Sequence, residues 1–449
     1  MIGTDARSRP ATRIRAPQLR CTLHAAGLLL SLLCVASAAH AAGQLVIGGG
    51  ALSDDNPAHS AFVAALAGEG PVVVIPAASD SPAGSGSYAR SVLVAHGVPP
   101  ERVHVFPVAE RDDSSTPAVD ESGWAGNAAA PALLAGLEHL SGVWFSGGDQ
   151  TRIVRTLRTA DGKDTPLLRL IRERHAAGAV VGGSSAGAAI MSEAMICGGD
   201  GFRGLLEPPT TRYAETEAED DGRLYLWKGL GFFGAGIVDQ HFDHRARLGR
   251  LVRALGETGV GRGFGIDEDT ALVVSGDARS AKVVGSGGVT VLDGQHARFD
   301  LGGTALASGL RLSLFPAGAG FDLQSLQPLA GAGEPVKGKG GSAFTPLAGG
   351  GMAFPNPRLE QLLAVELLDN SAADSVSRYS IDSRGRVLQF RFFETPQSRG
   401  YWRIAPDGDR FTATAVGFDA LRSDQPAPTG QGFRPPASST PRPPQSSAR

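Results

Sequence analysis

Short, almost continuously apolar runs alternate with amphipathic stretches through the first half of this chain. Gln44-Leu45-Val46-Ile47, Val72-Val73-Val74-Ile75, residues 103–108 and Gly142-Val143-Trp144-Phe145 read as strands covered on both faces. Between them, residues 58–66, 87–95, 128–140, 151–157 and 167–175 place apolar positions at helical spacing and predict helices. Asp164-Thr165-Pro166 supplies a cap and a first-turn proline to the last of these, and Gly178 closes it. Alternating strands and helices predict a parallel sheet flanked by helices, an α/β fold. In such sheets the chemistry collects beyond the carboxyl ends of the strands.

The pattern then changes. Residues 237–242 end a strand and enter a helix, residues 263–274 are a turn flanked by strand, and short strands continue to 316. Residues 317–355 are rich in Gly, Pro and Ala without periodicity and read as a linker. Residues 356–424 are expected to form a small β-rich C-terminal domain, with a helix over 359–368 and strands near 378–382, 387–393 and 410–416. The Pro, Ser, Gln and Arg of residues 425–449 predict disorder.

At the other end, five arginines precede the apolar stretch 25–38, which is too short to span a bilayer comfortably, and Ala39-His40-Ala41 follows it. Residues 1–41 read as a signal peptide cut after Ala41, so the chain is expected to be exported, secreted or periplasmic. Losing them moves the formal net charge from −3 to −7. A mildly acidic chain argues against nucleic acid, or a membrane surface, as partner. Cys197 would be the one cysteine left, which excludes an intrachain disulfide, and no Cys/His cluster has zinc-site spacing. Neither metal nor cofactor is expected. Glu215, Glu217, Glu219, Asp220 and Asp221 form an acidic run, read as a solvated loop or as a rim attracting a cationic substrate.

Candidate chemistry centres on residues 179–190. A β-branched run reaches Gly183-x-Ser185-x-Gly187 and then helix-forming alanines, the pattern of a nucleophile elbow. Small neighbours let strand and helix approach, and the helix N-terminus aims N–H groups at a developing oxyanion. A serine there needs a base. His241 lies at a strand-to-helix junction, with His244 as competitor. The base needs a carboxylate, and Glu268 fits, in a turn beside an apolar strand, with Asp267 and Asp269 as alternatives. Ala186 N–H and Gly148 N–H are candidate oxyanion donors. The helix expected after His241 carries Arg245, Arg247, Arg250 and Arg253 on one broad side, with Leu248, Leu251, Val252 and Leu255 on the other. This reads as a solvated basic face or as a clamp for carboxylates. Gln44–Gly50 ends in three glycines but lacks GxGxxG and a following lysine, which a nucleotide-binding loop needs.

Five motifs occur in a recognisable order. They are Gly147-Gly148-Asp149-Gln150, Gly183-Ser184-Ser185-Ala186-Gly187-Ala188, Asp239-Gln240-His241-Phe242, Arg245-x-Arg247-Leu248-x-Arg250-Leu251 and Gly265-Ile266-Asp267-Glu268-Asp269-Thr270-Ala271. Together, over residues 44–316, they resemble the cyanophycinases, serine peptidases related to peptidase E. The resemblance implies a class I glutamine amidotransferase-like, flavodoxin-like sheet. It implies Ser185 as nucleophile, His241 as base, Glu268 as orienting acid, and Gly148 and Ala186 as oxyanion donors. Gln150, Asp239, Gln240, Arg245, Arg247 and Arg250 would line the substrate site. The implied substrate is cyanophycin, a poly-aspartate chain bearing arginine side groups, cut through an acyl-enzyme to β-aspartyl-arginine dipeptides. The family also suggests a homodimer. An isoaspartyl dipeptidase of the peptidase E type and a non-catalytic secreted binding protein are the alternatives. The order Ser…His…Glu differs from that of α/β-hydrolases and counts against a lipase or esterase.

Overall fold

The computed structural model of the chain describes residues 42–213, 222–346, 352, 359–406 and 408–423. The expected signal peptide, the acidic positions 215–221 and the expected disordered tail lie outside the described residues. The first five strands are β1 (Leu45–Gly48), β2 (Val72–Ile75), β3 (Val103–Val105), β4 (Gly142–Phe145) and β5 (Val180–Ser184). They lie in the order β1-β5-β4-β2-β3 and every neighbouring pair is parallel. All four residues of β1, β2 and β4 are buried, as strands covered on both faces must be. The helices Pro57–Ala64, Gln150–Leu157 and Pro166–Ala176 begin on Asn56, Asp149 and Thr165, whose side chains accept N–H groups of their first turns.

The expected helix over 128–140 is broken instead. A 3₁₀ segment covers Trp124–Ala129, a single helical turn covers Pro131–Leu134, and Ala130 between them is extended. Pro131 is the reason, because its ring disfavours helical backbone in the preceding residue.

Beyond the elbow, β6 (Ala194–Gly198) and β7 (Tyr225–Lys228) form a two-stranded ribbon. Then β8 (Ile237–Asp239) runs parallel to β9 (Arg262–Ile266), and the helix Leu248–Thr258 connects them. After a three-residue turn the chain crosses sheets. β10 (Thr270–Val274) pairs antiparallel with β1, and β11 (Ser280–Gly285) with β10. The chain returns in β12 (Gly288–Asp293) beside β9; β13 (Arg298–Phe299) and β14 (Ala307–Pro316) follow, and β14 pairs with β12.

The C-terminal part is not a separate domain behind a linker. Within the expected linker, β15 (Gly320–Asp322) closes the first sheet against β11, and β16 (Glu334–Pro335) joins the second. The later strands are β17 (Ser375–Ile381), β18 (Val387–Phe393), β19 (Arg399–Arg403) and β20 (Arg410–Ser423). β20 pairs directly with β14, so a single sheet runs β16-β19-β20-β14-β12-β9-β8. One apolar core holds Leu251 and Leu255 of the connecting helix together with Phe390, Phe411 and Phe418. The edge of β14 would otherwise be left bare, and an apolar edge of that length needs covering.

Candidate active site

Gly183 and Gly187 let β5 meet the following helix. A Cβ on Gly187 would stand 2.3 Å from the Phe145 carbonyl oxygen, and one on Gly183 would stand 2.7 Å from that of Gly187. Ser185 sits between them at φ 55°, ψ −111°, in the sparsely populated backbone region expected of an elbow. Ala186 opens the helix, so its N–H has no intrahelical partner. The neighbouring strand β4 ends in the Gly147-Gly148 turn, and a Cβ on Gly147 would lie 3.3 Å from the Ser185 Cβ. Both candidate oxyanion donors therefore sit at the carboxyl ends of adjacent strands.

His241 follows β8, in the second sheet. Its Nε2 is 2.8 Å from Ser185 Oγ and its Nδ1 is 2.6 Å from Glu268 Oε1. A carboxylate only accepts, so Nδ1 must carry the proton and the neutral ring presents the Nε2 lone pair to the serine hydroxyl. Burial and the charges of Arg245 and Arg247 push the imidazole down to about 4 against the upward pull of Glu268. The ring is thus neutral at physiological pH and able to take the serine proton. Glu268 lies in the turn between β9 and β10, where the chain passes from one sheet to the other. Its second oxygen is 3.8 Å from Nδ1 of the exposed His244. The two neighbouring acids face elsewhere. Asp267 is buried and accepts from Gly288 N–H at 2.9 Å, and burial followed by the charge of Asp243 raises its pKa. Asp269 accepts from Ser53 and Asn56.

The three glycines Gly48, Gly49 and Gly50, at the end of β1 and just beyond it, hold this assembly, a role that sequence reasoning missed. The carbonyl of Gly48 accepts from Ser185 N–H (3.0 Å), that of Gly49 from His241 N–H (2.7 Å), and that of Gly50 from Asp269 N–H (2.9 Å). One tripeptide thus ties the backbones of the nucleophile, the base and the acid's neighbour. Gly50 has φ +107°, and a Cβ there would lie 2.2 Å from His241 Cε1, so the imidazole packs flat on this glycine. A glycine run straight after the first strand was the available signal.

The other expected site residues divide. Gln150 is buried and its amide donates to the Ile196 and Cys197 carbonyls at 2.9 and 3.0 Å. Asp239 and Arg250 are fully buried and form a two-pronged ion pair at 2.6 and 3.0 Å, and Arg250 also donates to the Gly199 carbonyl. Arg247, 2% exposed, donates to the Gln240 carbonyl at 2.7 Å. Arg253 is buried too and pairs with Glu257. Of the basic stripe only Arg245 is exposed; Arg247, Arg250 and Arg253 are buried, and Arg250 is closed off by Asp239 and the Gly199 carbonyl, which come from other elements. Gln240 is buried. Arg245 is exposed and close enough for its charge to act on His241.

Residues 44–281 match peptidase family S51. The cyanophycinase of Geminocystis herdmanii is 35% identical over 205 residues, which is 44% of this chain and 68% of that protein. That of a Nostoc species is 34% identical over 223 residues, 49% of this chain and 63% of its own. The aligned part spans about two thirds of these relatives' length. A solved peptidase from an acI-B1 actinobacterium aligns over 56% of this chain and 91% of its own, with a TM-score of 0.41 and 21% identity. The match over residues 44–281 contains Ser185, His241 and Glu268, and this chain belongs to peptidase family S51, as a serine peptidase.

Proposed function

We propose that this chain hydrolyses cyanophycin, with Ser185 as nucleophile, His241 as general base and Glu268 as the acid that fixes the imidazole. The unbroken hydrogen-bonded run from Ser185 Oγ through His241 to Glu268 carries the reading. The names of the relatives at 34–35% identity supply the substrate. Ser185 Oγ attacks a backbone carbonyl of the poly-aspartate chain as its proton passes to His241 Nε2. The oxyanion is held by the N–H groups of Ala186 and Gly148. Collapse of the tetrahedral adduct breaks the C–N bond, and the imidazolium returns its proton to the leaving amine. Water, deprotonated by the same imidazole, then cleaves the acyl-enzyme and frees β-aspartyl-arginine. Arg245 is the exposed cation for a substrate carboxylate. Asp239 and Arg250 act through the fold, by fixing the end of β8. Export with removal of residues 1–41 belongs to the same reading, since an enzyme outside the cell would digest polymer released by others.

The test is incubation of residues 42–449 with purified cyanophycin and mass analysis of the products. The dipeptide should accumulate, and Ser185→Ala should lower turnover by about 10⁴-fold or more. Full activity in that variant would sink the assignment.

A further inference from the structure

Two carboxyl groups outside the triad meet between the segments that carry its base and its acid. Asp243 follows His241 by two residues, and Asp267 opens the turn between β9 and β10 that holds Glu268. Both line one cavity of about 200 Å³. Asp267 is 9% exposed, and its Oδ2 accepts from Gly288 N–H on β12. Its Oδ1 and Asp243 Oδ1 are buried, and neither meets a donor among the described residues. The two side chains nevertheless lie within hydrogen-bonding reach of each other. Ionised carboxylates only accept, so this contact needs a proton.

The surroundings keep that proton on Asp267, whose pKa is raised first by burial and then by the Asp243 charge. Other charged groups around the pair have partners or face water. Arg247, on the cavity wall, donates to the Gln240 carbonyl and stands 4.0 Å from Asp239. His244 and Arg245, on the same segment, are exposed. Glu268, on the turn, is turned to His241. Glu360 comes from the C-terminal part; burial raises its pKa too, and its carboxyl oxygen accepts from Phe411 N–H. The strands β12 and β14 bring Gly288, Thr290 and Leu314 to the wall, none of them charged.

We propose that Asp243 and Asp267 are positioning residues for the triad: one proton shared between their carboxyl groups holds the His241 segment against the Glu268 turn. Asp267 donates from Oδ1 to Asp243 while its Oδ2 stays bound to β12. Loss of the proton sets two buried negative charges face to face, so the segments part and the His241–Glu268 contact loosens. The assignment rests on the triad proposed above and not on its substrate.

A fluorophosphonate reads the triad without a substrate: Ser185 Oγ bonds phosphorus, fluoride leaves, and the serine proton passes to His241. The labelling rate of the full chain is followed from about pH 5 to about pH 10. It should fall on the alkaline side as the shared proton leaves. Asparagine at 267 can accept from Gly288 N–H and donate to Asp243 with no proton to lose. Asp267→Asn should therefore label without the alkaline fall. Asp243→Ala, at a half-buried position, removes the acceptor and should slow labelling about tenfold or more. A native rate that does not fall, a fall that Asp267→Asn shares, or native-rate labelling of Asp243→Ala each overturns the proposal. A native chain that the probe leaves unlabelled overturns the proposal and the triad together. The expected pattern in a chain that leaves cyanophycin intact would overturn the substrate reading and still support the pair.

Discussion

At the scale of single residues, Gly50 and His241 are one device. Gly50→Ala would place a methyl group inside the imidazole ring at a φ that alanine disfavours. The ring must move, and displacement of about 1 Å at a catalytic group costs on the order of 10²-fold. The expected outcome is a kcat loss of that order, with the β1–β5 pairing intact by amide exchange. The low pKa of His241 makes a second expectation. The base works unprotonated, so kcat/KM should hold as pH falls through the ordinary histidine range and decline near pH 4. Arg245→Gln removes a charge that disfavours the imidazolium and should move this acid limb to higher pH. The same shift has a stability consequence. A buried ring kept neutral adds stability in full above its unfolded pKa, and that contribution is lost as pH falls through the folded value.

At the scale of elements, β8 and the helix after it are clamped by Asp239 and Arg250. Arg250→Leu takes the two-pronged partner from a buried carboxylate, leaving only Arg247 Nη1 at 4.0 Å, and should cost about 3 kcal/mol in urea unfolding, whereas Asp239→Leu with Arg250→Leu should recover part of that loss. Sequence could not foresee this. Periodicity placed four arginines on one side of a helix, but the helix starts only at Leu248, Arg245 is exposed, and what covers Arg250 and Arg253 includes non-local groups: Asp239 on β8 and the Gly199 carbonyl for Arg250, the Leu205 carbonyl for Arg253. The elbow was legible because its constraint is local: strand and helix cannot cross at 183–187 with side chains in the way. The parallel sheet was legible because four of its five strands carry buried apolar runs, β3 with its exposed His104 being the exception. The helix over 128–140 was misread because apolar spacing says nothing of the proline at its fourth position. The bringing together of His241 and Glu268 came from the order of motifs, since 27 residues and the helix Leu248–Thr258 separate them.

At the scale of the molecule, the match to family S51 ends at residue 281, inside β11, yet the chain continues the second sheet without a break. β15 and β16 escaped notice because three and two residues are too few to show alternation. Truncation at Pro316 would strip β20 from β14 and expose Leu310, Leu312 and Leu314, all buried in the full chain. The expected result is loss of soluble protein, or a steep fall in melting temperature, rather than a trimmed, active core. Soluble, fully active protein from residues 42–316 would show that the later strands are dispensable. The glycine tripeptide that ends β1 has a further consequence. Its successive carbonyls splint three distant segments before any ligand arrives, so the apparatus is standing and armed at rest, and the enzyme need not spend ligand affinity on assembling its own reactive centre.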